Sequence, residues 1–289
     1  MAPVVLVHGV FNHVRNATPE QAAARRVENC RATLAESLGR LSVMAPDIEM
    51  AYYADLLRPE LPEQIQSIWD NGNFETLSPA ERVEASEWLV TAGATVPKDP
   101  QNVGLAPLRQ MLGWVVDNRG GGLAYALREQ TIRRLERVIV ANLREVEAYT
   151  TWPDRRRLVR ERISGTIRRE EPAVVIAHSL GSYVAYETLH AFPEPKVELL
   201  VTVGSPLRVP SLARRLDPAL CAGRGARPSG AKRWVNIADV GDVLAVPPRL
   251  GEVFPVDADE TCDNGLDFHG FGGYLASGLL AAAITPYIS

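Results

Sequence analysis

From its first residues the chain alternates two kinds of hydrophobic pattern. Val4, Val5, Leu6 and Val7 form an unbroken apolar run ending at His8-Gly9, which predicts a short strand over Pro3–His8, buried on both faces. Thr18-Pro19-Glu20-Gln21 then supplies an N-cap, a proline at the first helical position and a glutamine at the third, a capping box. Val27, Cys30, Leu34 and Leu38 follow at three- and four-residue steps and predict one buried helical face. A second strand is expected over Ile48–Tyr53.

From Asp55 to Trp152 the pattern is helical throughout. Ser78-Pro79-Ala80-Glu81 is another capping box, opening a helix to about Val90. Leu105, Leu108, Leu112 and Val115 make the next stripe, Gly120-Gly121-Gly122 break it, and Leu135, Val138, Ile139, Leu143 and Val146 mark a long third helix. Such a stretch inside an alternating pattern reads as a helical cap (55–152) inserted into a core of residues 1–54 and 153–289. Asp154–Glu170 is an arginine-rich helix in which Arg157 and Glu161 are spaced as a pair; a solvated face is expected there rather than an anion-binding patch.

After Pro172 the alternation resumes. A strand is expected at Ala173–Ala177, a helix at Leu180–His190, a strand at Val197–Val203 and a short helix near Ser211–Leu216. Strands at Arg233–Ala238 and Val253–Val256, an acidic loop and a C-terminal helix from about Gly272 complete the pattern. The predicted fold class is α/β, a mainly parallel sheet flanked by helices.

Composition adds exclusions. With 46% hydrophobic and 23% charged residues the chain is globular, neither disordered nor a disulfide scaffold. Its net charge of −4 argues against nucleic acid as a partner. Cys30, Cys221 and Cys262 form no paired motif, so neither a disulfide framework nor a structural zinc site is expected, and a reducing compartment fits. Met1–Val10 lacks the basic start of a signal peptide, and no apolar run is long enough for a transmembrane segment. A cytoplasmic protein is expected. Only Lys98, Lys196 and Lys232 are lysines, an arginine skew assigned to coding bias.

The sharpest chemical signal is Ala177-His178-Ser179-Leu180-Gly181, between an apolar strand run and a helical run. A sharp strand-to-helix turn lifts a serine oxygen clear of a sheet, and small residues two positions either side let the turn close. Ser179 is therefore the candidate nucleophile. It needs a base and an orienting acid. Of His8, His13, His178, His190 and His269, only the last lies far enough beyond the serine in the chain order Ser, acid, His, so His269 is the candidate base. Asp239 and Asp242 both follow the Arg233–Ala238 strand; Asp242 is favoured by position, with Asp239 as the alternative that caps or braces the loop. Oxyanion donors are expected from the backbone N–H groups of Leu180 and Val10, with His8 bracing the loop. Phe11, Asn12 and His13 are expected to line the substrate pocket, with surface-loop positions as the alternative.

These pieces resemble the α/β-hydrolase superfamily, in its lipase and esterase branch. The matching islands are Val4–Gly9, the Ala177–Gly181 turn, Val203-Gly204-Ser205-Pro206, Asp242 ahead of Pro247-Pro248, and His269 with Tyr274. The resemblance implies a catalytic triad of Ser179, Asp242 and His269, with Val10 and Leu180 as oxyanion donors. It implies hydrolysis of a carboxylic ester, from a small-molecule or lipid-like acyl substrate, with no cofactor. A thioesterase, peptidase or acyltransferase on the same residues, and a non-catalytic scaffold, are the alternatives. Two leading antiparallel strands common in that superfamily look absent. The Asp257–Asp267 segment is acidic but lacks the spacing of a calcium loop, so no metal is expected. Residues 251–289 carry six acids and no lysine or arginine, which predicts negative charge around His269.

Overall fold

Six strands pair side by side, every one parallel to its neighbours, in a computed structural model that describes residues 3–58, 72–95, 104–119, 125–265 and 268–288. They are β1 (Val4–Val7), β2 (Ile48–Ala51), β3 (Val174–His178), β4 (Val197–Val203), β5 (Ala231–Asp239) and β6 (Ala258–Cys262), in the order β2-β1-β3-β4-β5-β6. Val4 sits opposite Ile48 on one side and Val174 on the other. After β1 the chain moves outward to β2 and then returns to place β3 on the other flank of β1. Strand order therefore reverses between β1 and β3, where open parallel sheets leave a crevice at their carboxyl ends.

The helices are α1 (Pro19–Gly39), α2 (Ala54–Leu57), α3 (Pro79–Thr91), α4 (Leu105–Arg119), α5 (Tyr125–Thr151), α6 (Arg155–Glu170), α7 (Leu180–Ala191), α8 (Pro210–Ala213), α9 (Phe271–Ala276) and α10 (Gly278–Ile288). The two-residue period of the strands sorts them onto two faces. Val5, Val7, Val175 and Ala177 join an apolar cluster with residues of α3 to α7, while Val4, Leu6, Val174 and Ile176 join another with α1, α9 and α10. Both capping boxes are present: Thr18 Oγ1 accepts from Gln21 N at 3.3 Å and Ser78 Oγ from Glu81 N at 3.3 Å, each with the reciprocal bond. Helices α3 to α5 share the cluster of the sheet face rather than building one of their own. Trp88 of α3 is fully buried and donates Nε1 to the Val243 carbonyl at 3.1 Å. Gly120-Gly121-Gly122 lie outside the described residues. Among the described residues no helix is long and apolar enough to cross a membrane.

Three expectations change. Val253–Val256 is not a strand: Phe254 is buried there against Trp234 and Tyr186. The last strand is β6, inside the segment expected to be an acidic loop. As the sheet's edge it carries polar side chains, so no apolar run announces it. Its Asp259 accepts from Asn236 Nδ2 at 2.8 Å and Gly251 N at 2.7 Å. The C-terminal helix is two helices, broken at Ser277.

The arginine-rich α6 is only partly a solvated face. Arg157 does pair with Glu161 at 2.9 Å in the open. Arg156 and Arg160 instead turn inward onto Glu187 of α7, whose side chain is fully buried. Glu187 also accepts from Tyr149 Oη at 2.6 Å and Asp217 N at 2.8 Å. Removing one member of a buried ion network strands the others without solvent. Glu187→Ala is expected to lower unfolding free energy by about 3–5 kcal/mol, read from denaturant titration; a loss below about 1 kcal/mol, the size of an exposed pair, would refute that view of the network.

Candidate functional site

The Ala177–Gly181 segment folds as its small residues dictate. β3 ends at His178, α7 begins at Leu180, and Ser179 alone makes the turn, with φ 53° and ψ −128°. That backbone conformation costs a residue with a Cβ about 1–3 kcal/mol and persists only where surroundings hold it. Here the Ser179 N–H donates to the Val203 carbonyl at 3.0 Å, and Ser182 Oγ donates to the Ser179 carbonyl at 2.6 Å. Two glycines permit the close approach. A Cβ on Gly181 would strike the carbonyl oxygens of Val7 and His8, and one on Gly9 would lie 2.7 Å from Ser179 Cβ.

His269, on the loop between β6 and α9, reaches back to this turn. Its Nε2 is 3.0 Å from Ser179 Oγ and its Nδ1 is 2.8 Å from Asp242 Oδ2. Asp242 is fully buried; its Oδ1 accepts from Leu244 N at 2.8 Å, and its Oδ2 also accepts from Tyr274 Oη at 2.8 Å. Burial pushes that carboxyl up, but His269 and the converging N–H and O–H donors outweigh it and hold the pKa below its usual value. Asp239 takes the bracing position: its carboxylate accepts from Gly241 N at 2.6 Å and from Asn264 N. Of the two candidate acids, Asp242 is the one against the histidine.

Leu180 follows the serine at the start of α7, and Val10 follows Gly9, which lies against Ser179 Cβ. Neither N–H donates to another described residue. Asn12 pins the Val10 loop through Nδ2, which donates to the Gly9 and Val10 carbonyls at 2.9 Å each. His8 braces it from behind, Nδ1–H donating to the Gly9 carbonyl at 2.8 Å and Nε2 accepting from Tyr53 N at 3.1 Å.

Three supports were not among the residues expected to form the site. His178 donates Nε2–H to the His269 carbonyl at 2.8 Å and stacks on Phe271, holding the histidine loop. Tyr274 Oη donates to Asp242 and accepts from Asp239 N at 2.9 Å. Glu145, buried on α5, lies beneath the Val10 loop: its Oε1 accepts from Phe11 N at 3.4 Å and from Arg58 at 3.3 Å.

Burial drives the pKa of His8 down to about 3, and that of His178 likewise to about 3, with His269 adding to the latter effect. Both are neutral in the folded protein down to that pH, whereas an unfolded histidine takes its proton near 6.5. Between those values the unfolded state binds more protons, so stability is full above about 6.5 and falls as pH drops, by about 1.4 kcal/mol per pH unit for each histidine. Urea midpoints at about pH 7 and about pH 5 should fall more steeply for the wild type than for His8→Asn. Equal slopes in the two proteins would refute the buried neutral state.

A cavity of about 500 Å³ is lined by His269, His178 and Val10, the neighbours of Ser179, which itself stays buried behind them. Phe11 and Asn12 line it; His13 does not. The cavity side of His269 is lined by positive rather than negative groups. Arg26, Arg134 and Arg137 line the cavity and no carboxylate does so among the described residues. Of the C-terminal acids, Glu252 pairs with Arg208 and Asp257 with Arg227, while Asp267 lies outside the described residues. A larger cavity of about 980 Å³ between α4 and α5 includes Trp114, Arg128 and Arg137 but not His269. Among the described residues no group of three or more His, Cys, Asp or Glu side chains could hold a metal ion. No protein-family model, curated protein or solved structure matches the chain.

Proposed function

We propose that the protein is a serine hydrolase of the α/β-hydrolase type that cleaves a carboxylic ester through an acyl-enzyme. The observation that carries this reading is the unbroken hydrogen-bonded line from Ser179 Oγ through both nitrogens of His269 to Asp242. A serine hydroxyl is a weak nucleophile unless a base takes its proton as it attacks. His269 Nε2 is placed to do so. Asp242 on Nδ1 keeps the proton on that nitrogen, leaves Nε2 free to accept, and stabilises the imidazolium that forms.

The ester carbonyl carbon bonds to Ser179 Oγ, and its oxygen becomes an anion between the Val10 and Leu180 N–H groups. Each such donor is worth about 3 kcal/mol of barrier. The intermediate collapses by breaking the bond to the alcohol oxygen, which takes the proton from His269. Water then enters, gives a proton to His269, attacks the acyl carbon and releases the acid with Ser179 restored. The all-parallel sheet, with its strand order reversing beside Ser179, also supports the reading.

The test is active-site labelling with a neutral fluorophosphonate, followed by a panel of para-nitrophenyl esters of increasing acyl length. Covalent labelling located at Ser179, together with ester turnover, supports the proposal. Failure to label the folded protein would sink it.

A further inference from the structure

Of the three arginines that line the cavity beside His269, two come from different elements, Arg26 from α1 and Arg137 from α5, the latter at the border with the larger cavity. Arg26 donates from Nη2 to the Phe11 carbonyl at 3.2 Å, one residue from the Val10 N–H. Its Nε is buried with no hydrogen-bond partner among the described residues. Arg137 is exposed, and its Nε reaches back along its own helix to the Arg133 carbonyl at 3.4 Å. Neither arginine pairs with a carboxylate among the described residues. Elsewhere this chain pairs its arginines readily, as Arg162 with Asp55, Arg208 with Glu252 and Arg227 with Asp257. Positive charge is therefore concentrated at one cavity of a molecule whose net charge is −4.

Beside Arg134, Asn12 and the two histidines, the lining presents an apolar wall from Leu135, Val138, Leu244 and Phe268. A neutral fatty ester would use that surface and leave two guanidinium groups facing it without a counter-charge. An ester bearing an oxyacid group on an apolar chain would use both. Guanidinium donors suit carboxylate and phosphate oxygens, and a cleft lined by one sign of charge concentrates the opposite sign.

We propose that the substrate is an anionic ester, its carboxylate or phosphate held by Arg26 and Arg137 while its carbonyl lies against Ser179. This rests on the serine-hydrolase reading and names the substrate class for it. The net charge of the chain would disfavour such a molecule at long range, but the field at the cavity mouth decides capture.

The experiment compares para-nitrophenyl hexanoate with the para-nitrophenyl monoester of adipic acid, spontaneous hydrolysis subtracted. The wild type should favour the anionic ester in kcat/KM by roughly tenfold or more at low salt. That ratio should shrink as salt screens the cavity. Arg137→Gln should lower the ratio, and Arg26→Gln should do the same; the exposed Arg137 guards against a folding effect at Arg26, which also holds the Phe11 carbonyl. Inhibition of hexanoate turnover by pentanoate and by butyl phosphate, each against butanol, then separates the two oxyacids. A wild-type ratio near unity that neither substitution nor salt moves, with no inhibition beyond that of butanol, would overturn the anionic-substrate proposal while leaving the hydrolase intact. Absence of fluorophosphonate labelling at Ser179 would overturn the hydrolase reading itself, and this proposal with it.

Discussion

Ser179→Ala is expected to lower ester kcat on the order of a millionfold and to abolish fluorophosphonate labelling. The substitution removes one oxygen and nothing else from the turn. Alanine keeps the Cβ that Ser179 already carries at positive φ, and the backbone bond to Val203 does not involve the side chain. The variant should therefore fold as the wild type does, with an unchanged thermal midpoint as the control. Residual catalysis would come from the Val10 and Leu180 N–H groups, which still polarise a carbonyl held beside them. Label persisting in the variant, or turnover within about tenfold of wild type, would refute Ser179 as nucleophile, because a covalent mechanism that loses its nucleophile loses nearly everything.

Asp242→Asn is expected to lower kcat by about ten-thousandfold. The amide is almost the same size, so the buried pocket made by Leu244 N, Ala245 N and Tyr274 Oη is not emptied. What changes is the proton. An amide nitrogen turned toward Nδ1 donates to it, which moves the imidazole proton to Nε2, where it can no longer accept from Ser179 Oγ. The stabilising charge for the imidazolium is lost as well. Asp239→Asn is the matched control. Its carboxylate braces Gly241 and Asn264 and does not touch His269, so its effect on kcat should be smaller by at least about a hundredfold than that of Asp242→Asn. Equal losses from the two substitutions would put the orienting role in doubt. A larger loss from Asp239→Asn would reassign it.

How much of this was legible before folding depends on how local each signal is. The β1 run, the two capping boxes and the stripe along α1 are written within a few residues of one another, because hydrogen bonds and side-chain faces at those spacings depend on near neighbours. The turn at Ser179 is equally local: Ala177 and Gly181 are small where neighbouring backbone crowds them. His269 followed from chain order, since no other histidine stood far enough beyond the serine. The edge strand β6 escaped because polar side chains at a sheet margin leave no apolar run. Asp239 and Asp242 were separated in rank but not in contact, since three residues of chain cannot show which carboxylate a distant imidazole meets.

His178 and Tyr274 stand in recognised motifs, yet their bonds to the His269 carbonyl and to Asp242 were not legible there, and Glu145 was not legible at all. Glu145 reaches the Phe11 N–H across 134 positions of chain, and no periodicity records such a pairing. Charge was the least legible property. Counting acids after residue 251 predicted a negative setting for His269, yet electrostatic energy depends on distance in space. Folding sends Glu252 to Arg208 and Asp257 to Arg227, and brings Arg26 and Arg137 to the cavity from segments with no count in common with His269.

The sequence alone determined the alternating α/β pattern, the turn that presents Ser179, and the histidine and pair of aspartates from which a site could be assembled. These depend on hydrophobic period and short-range sterics, which any stretch of chain carries with it. The tertiary structure decided which aspartate meets His269, what holds the Val10 loop, and the sign of the charge facing the cavity. Those are sums over groups 27 to 134 positions apart in the chain, and only packing sets their distances.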